Sequence, residues 1–194
     1  MTTRAESAAR TRRALLGAAG DLLDRGGPDA VTLRDVGAGA GVSRSAAYRH
    51  FEDKNALLTA LAADAWAAVA IGLDGILDDG SLTPESAVRV ALESLSDLGR
   101  DRPHLYRLMF TAGPADHPAV VDAATRAQDG FLTLVGRFVG TDEARRYAGV
   151  LLAAAHGLTD LDLSGHLPRE KWHADRHELI DLLVAMIART PDLS

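Results

Sequence analysis

The sequence predicts an all-α fold, on three observations. Apolar residues recur three and four apart along most of the chain, and no alternating run is long enough to read as a strand. The interruptions fall at helix-boundary residues, such as Thr83-Pro84-Glu85, Arg102-Pro103 and Gly140-Thr141. A chain of 194 residues suffices for one compact domain or two small ones. The pattern divides it into a flexible basic arm over residues 1–9, a three-helix domain over 10–54 and a larger helical domain over 55–194.

In order along the chain, Leu15, Leu16, Ala19, Leu22 and Leu23 mark a first amphipathic helix that ends near Arg25-Gly26-Gly27-Pro28. Arg10, Arg12 and Arg13 stand just before it, as a solvated run or as phosphate or minor-groove contacts. A second helix starts at Thr32, whose hydroxyl can cap it with Asp35 reaching back, and it packs through Leu33, Val36 and Ala40. Gly37 and Gly39 inside it each cost about 1 kcal/mol relative to alanine, which predicts a loosely held helix before a partner binds. Gly41 occupies a sharp turn that calls for positive φ, and Ser43 can cap the third helix. There Val42, Ala47 and Phe51 pack inward, while Arg44 with Tyr48 and Ser45 with Arg49 form outward i, i+4 pairs.

Two short helices joined by a glycine turn, the second presenting a basic, hydroxyl-rich and aromatic face, are the layout of a helix-turn-helix reader of double-stranded DNA. Arginine can clasp guanine edges or phosphates, and the hydroxyls can hold phosphate oxygens. Asp53 can cap the following helix, and Lys54 in its first turn adds an ammonium to free backbone N–H groups. The charge distribution agrees. Residues 1–57 hold nine Arg and Lys against seven Asp and Glu, whereas the remainder holds twelve against twenty. A nucleotide-binding reading of Val36-Gly-Ala-Gly-Ala-Gly41 fails, because the spacing is not G-x-G-x-x-G and no βαβ unit surrounds it.

At Gly41-Val-Ser-Arg-Ser-Ala-Ala-Tyr-Arg-His-Phe51, followed by Asp53-Lys54, the sequence resembles the tetracycline-repressor-type (TetR) family of bacterial transcriptional regulators. The resemblance is strong over about residues 10–60 and looser beyond. It implies that Thr32, Ser43, Arg44, Ser45, Tyr48, Arg49, His50 and Lys54 face DNA. It also implies an all-helical C-terminal domain that binds a ligand and dimerises. The function expected from it is a homodimeric repressor that binds a palindromic operator and is released by a small-molecule effector, largely apolar in character.

A long helix from about Lys54 to Leu77 leaves the DNA-facing end and runs into the second domain. Further breaks fall at Gly113-Pro114, His117-Pro118 and around Gly165-His166-Leu167-Pro168. The large side chains that can line an effector pocket are Trp66, Tyr106, Met109, Phe110 and Phe131, together with His156. The pair His156-Gly157 resembles a His-Gly subtype of the family's C-terminal domain. Apolar residues surround most of the helix from Tyr147 to Leu161, and a wide apolar band runs along the last helix. These predict a two-fold interface through Leu151, Leu158, Leu179, Leu183, Met186 and Ile187.

An alternative is a small metal-dependent enzyme using His173, His177 and Asp181, which recur every four residues. No Gly-x-Ser-x-Gly elbow and no cysteine nucleophile is present, so neither catalysis nor a cofactor is expected. The lack of cysteine excludes disulfides and thiolate metal sites. The charged first residues do not read as a secretory signal, and the longest charge-free stretch, Tyr147 to Thr159, is too short to span a bilayer. A cytoplasmic protein with no membrane association is expected.

Overall fold

The computed structural model describes residues 3–110 and 117–189, so the expected break at Gly113-Pro114 lies outside the described residues. Among the described residues there are ten α-helices, one short 3-10 turn (Pro28–Ala30) and no strand. The helices are α1 (Arg4–Gly26), α2 (Leu33–Gly39), α3 (Arg44–His50), α4 (Lys54–Asp78) and α5 (Pro84–Asp101), then α6 (Pro103–Phe110), α7 (Pro118–Val139), α8 (Ala144–Leu163), α9 (Arg169–Trp172) and α10 (Arg176–Ala188). The chain is all-α, as its periodicity predicts.

Two compact units form. One comprises Met1–Trp66 with Arg102–Ala123, the other Ala67–Asp101 with Ala124–Ser194. The first reaches beyond residue 54 and takes in α6, which lies far along the chain. In it α1 contributes Leu15, Leu16, Ala19 and Leu23, and these join Leu33, Val36, Ala47, Phe51, Leu57, Leu105 and Tyr106 in the core. Arg102, next to Pro103, binds Asp24 of α1 at 2.9 Å and so fastens α6 to that helix. Gly39 permits a close approach of α2 to α1, since a Cβ there would stand 3.2 Å from the Ala18 Cβ, tighter than ordinary contact. Its place in α2, unfavourable by propensity, is explained by that approach.

α1 begins at Arg4, inside the segment read from sequence as an arm. Thr3 Oγ1 accepts the Glu6 N–H at 3.2 Å, and Glu6 Oε2 accepts the Thr3 N–H at 2.7 Å. This reciprocal box satisfies two of the orphan donors that a bare helix start exposes.

In the second unit α5, α8 and α10 pack together through Val88, Ala91 and Leu92, Ala148, Leu151 and Ala155, and Ile180 and Val184. A buried hydroxyl pair, Ser96 Oγ and Thr159 Oγ1 at 2.8 Å, lies between α5 and α8. Arg176, 5% exposed, pairs with Asp97 of α5 and, at 3.2 Å, with Asp162 of α8. Asp175 caps α10, and Glu178 N–H donates to its Oδ1 at 3.0 Å. That backbone bond holds the Asp175 carboxyl below the usual range, and the bonds from Arg169 lower that of Glu178.

By length and composition α4 is apolar enough to cross a bilayer, although no charge-free stretch in it is long. Its Leu57, Leu58, Leu61 and Ala62 are buried, as are Ala70 and Leu73, and Asp64 and Asp74 interrupt it. It is a core helix.

Candidate nucleic-acid interface

The corner between α2 and α3 is built by backbone chemistry. Thr32 Oγ1 accepts the Asp35 N–H at 3.1 Å and donates to Asp35 Oδ2 at 2.7 Å, which starts α2. The helix closes at Gly41, where φ is +66°, with Val42 N–H donating to Gly37 O at 2.9 Å. No atom lies within 4 Å of the position a Gly41 Cβ would take, so the requirement for glycine is conformational rather than steric. Ser43 Oγ then accepts the Ala46 N–H at 3.2 Å and lies 3.0 Å from Ser45 Oγ.

This geometry turns one side of α3 inward through Ala47, with Phe51 just after it, and leaves the other side in solvent. Thr32, Ser43, Arg44, Ser45, Tyr48 and Arg49 are exposed; His50 and Lys54 are half-buried. The Arg44 guanidinium lies 5.5 Å from the Tyr48 ring centroid, a cation–π contact that holds both side chains in one orientation. Asp53 Oδ1 accepts the Ala56 N–H at 2.7 Å, and Lys54 is the first residue of α4. The face therefore presents guanidinium, hydroxyl and ammonium groups. Asp35 and Asp53 nearby are engaged in helix capping. Donors arranged in this way suit phosphate oxygens and the acceptor edges of bases.

Residues 15–61 match the family model described as "Bacterial regulatory proteins, tetR family", and residues 88–187 match "Tetracyclin repressor-like, C-terminal domain". The chain belongs to the TetR family. It is a DNA-binding transcriptional regulator with an N-terminal helix-turn-helix, and it is not an enzyme. Among solved structures, a protein of unknown function from Rhodococcus sp. RHA1 is 26% identical, with 92% of this chain and 94% of that one covered and a TM-score of 0.79. LfrR from Mycobacterium smegmatis, in complex with proflavine, is 22% identical over 95% and 99% with a TM-score of 0.65. RolR, in complex with resorcinol, is 22% identical over 97% of both chains with a TM-score of 0.60. The last two show the shared TetR fold. No curated protein matches the chain.

Four of the expected effector residues of this TetR protein come together in the first unit. The Trp66 and Phe110 rings meet edge to face with centroids 5.2 Å apart, Tyr106 and Phe110 lie at 4.9 Å, and Trp66 Nε1 donates to Met109 O at 3.3 Å. Phe131 and His156, both half-buried, belong to the second unit.

The expected interface residues divide. Leu151 is 0% exposed in the single chain, so it is core and not interface. A helix apolar around most of its circumference gives no periodicity by which to assign its inner side, and α5 and α10 cover this one. Leu158, Leu179, Leu183 and Ile187 are half-buried and Met186 is exposed. The outward apolar side chains that sequence reasoning missed are Val150 and Leu161 on α8 and Leu182 on α10, each 44–57% exposed.

The late histidines are otherwise employed. His177 Nε2 lies 2.9 Å from Asp97 Oδ1, Asp181 binds Arg89 at 2.6 Å, and His173 ends α9 with φ +53°. Among the described residues no group of three metal-ligating side chains forms. Burial beside this network raises the Glu93 carboxyl above its ordinary range, against the pull of His177 and Arg89. The polar cleft here, about 460 Å³ and lined by Arg100, Asp162, Asp175, Arg176 and His177, was not legible because its members come from three separate helices.

Proposed function

We propose that this TetR-family regulator acts in the cytoplasm as a homodimeric repressor. It binds a palindromic duplex operator and leaves it when a small, largely apolar molecule binds. The observation that carries the reading is the outward face of α3, with Arg44 ordered on Tyr48 and flanked by the capped starts of α2 and α4. Thr32, Ser43, Ser45, Arg49, His50 and Lys54 complete the contact surface. Of these, Arg44 reads a base and Lys54 holds a phosphate. Functionally, residues 10–54 are the reader and 55–194 the sensing and pairing part.

Selection of bound duplexes from a random-sequence pool tests this directly. A consensus of two inverted half-sites is expected, and recovery of no enriched sequence overturns it. Arg44→Ala should relax preference at one position of each half-site by about 1–3 kcal/mol, while Lys54→Ala weakens all sequences alike. If both variants keep the wild-type preference, Arg44 has no reading role.

Two copies join, in this reading, through the outer sides of α8 and α10. Val150, Leu158 and Leu161 stand on the first of these helices, and Leu179, Leu182, Leu183, Met186 and Ile187 on the second. Two-fold symmetry matches the symmetry of the operator.

The effector is recognised by the cluster of Trp66, Tyr106 and Phe110, with Met109 beside them, and the ring faces suit a flat apolar molecule. Proflavine and resorcinol, the ligands named for LfrR and RolR, are aromatic. The His-Gly subtype rests on His156-Gly157, and a role for His156 and Phe131 near the ligand goes with it. Aromatic compounds that raise the melting temperature should weaken operator binding by about 5–150-fold, and by linkage should bind the DNA-free protein more tightly by the same factor. Stabilising compounds that all leave operator affinity unchanged would falsify the inducer model.

A further inference from the structure

The first three turns of α1 bury no side chain. From Thr3 to Ala14 every residue is exposed except Ser7 and Thr11, which are half-buried, and Leu15 is the first residue in the core. No buried side chain holds these turns, which propagate from the packed part of the helix. The Thr3–Glu6 box supplies part of the hold.

The composition of the overhang is one-sided. It carries Arg4, Arg10, Arg12 and Arg13 against a single acidic residue, Glu6, whose carboxylate is turned back onto the Thr3 N–H. Among the described residues no ion pair involves Arg4, Arg10 or Arg13. Arg12 is placed differently. Its guanidinium lies 5.0 Å from the centroid of Phe51, the 4%-exposed residue that ends α3. That contact pins the basic overhang beside the junction of α3 and α4, where Arg49 and Lys54 stand. The charge is complementary to a polyanion, and Arg12 places the stretch next to the end of α3.

We propose that the Arg4–Arg13 stretch of α1 is a second phosphate-contacting surface. Arg10 and Arg13, three apart on the helix, take the DNA backbone, and Arg12 is a positioning residue that fixes the overhang through Phe51. This rests on the DNA-binding reading above and adds to it a contact that carries no sequence information.

The test uses the full-length protein with two duplexes of equal length, one carrying the pool-selected sequence and one scrambled. Affinity is measured across a series of salt concentrations. Arg10→Ala/Arg13→Ala should bind both duplexes about tenfold more weakly at ~0.1 M salt, with a log–log slope shallower by about 0.9 for each phosphate that is no longer neutralised. Arg10→Lys/Arg13→Lys should restore the slope, because an ammonium displaces the same counterions. Helicity by circular dichroism shows that each variant is folded. Wild-type affinity and slope in the alanine variant overturn this surface alone, as does a weakening that lysine does not rescue. Failure of the wild-type protein to bind either duplex overturns the DNA-binding reading and this surface with it.

Discussion

Leu182→Glu is expected to convert the proposed dimer to a monomer and to weaken operator binding by about 10²–10⁴-fold, because each reading domain would then bind without the effective concentration its partner supplies. The side chain is 51% exposed in the single chain. A carboxylate there leaves the fold of one copy intact and becomes costly only when a second copy takes its water away. Light scattering gives the mass and anisotropy the affinity. A Leu182→Glu protein that remains dimeric moves the interface off the outer side of α8 and α10. A monomer with undiminished operator affinity would separate dimerisation from DNA binding.

Leu151→Ala is expected to act on folding instead, lowering stability by about 2–5 kcal/mol, the range for truncating a fully buried leucine. Leu151 has no exposure, and the helices packed on it contribute Val88, Leu92, Ile180 and Val184. Denaturant unfolding at fixed protein concentration measures the change, since concentration itself contributes to the apparent stability of an associating protein. A change under about 1 kcal/mol would mean that α8 is not packed as described. Val150 and Leu151 are neighbours on the chain with opposite environments, 57% and 0% exposed.

That pair also shows where sequence was informative. Wherever local chemistry decides the structure, the sequence is explicit: Thr32 and Ser43 cap helices, Gly41 adopts φ +66°, and Thr83 caps α5 at Pro84. In α2 and α3 the contrast between apolar and polar residues is sharp, so Leu33, Val36 and Ala47 fall on the buried side as their spacing requires. On α8 the contrast fades, and only long-range packing distinguishes Leu151 from Val150. The clamp of Arg176 on Asp97 and Asp162 joins three helices far apart in sequence, and nothing local announces it. The start of α1 is a different kind of miss. Thr3-Arg-Ala-Glu6 is a capping-box pattern with a readable signature, outweighed by the absence of apolar residues after it.

The hydroxyl pair between α5 and α8 makes their seam a matter of discrete choice. Ser96 and Thr159 meet at 2.8 Å with side-chain exposures of 1%, and Thr159 Oγ1 also lies 2.8 Å from Ala155 O as its donor. If α8 slid by one turn along α5, Thr159 would keep its bond to Ala155 O, but Ser96 Oγ would lose its partner, and an unsatisfied buried hydroxyl costs about 1–3 kcal/mol. An all-leucine seam would accept such a slip at little cost, because hydrophobic contact has no direction. These two oxygens therefore act as a detent. They add little net cohesion to the seam, but they give it one permitted setting, and any motion of α8 against α5 must proceed as a jump to another hydrogen-bonded arrangement instead of a gradual drift.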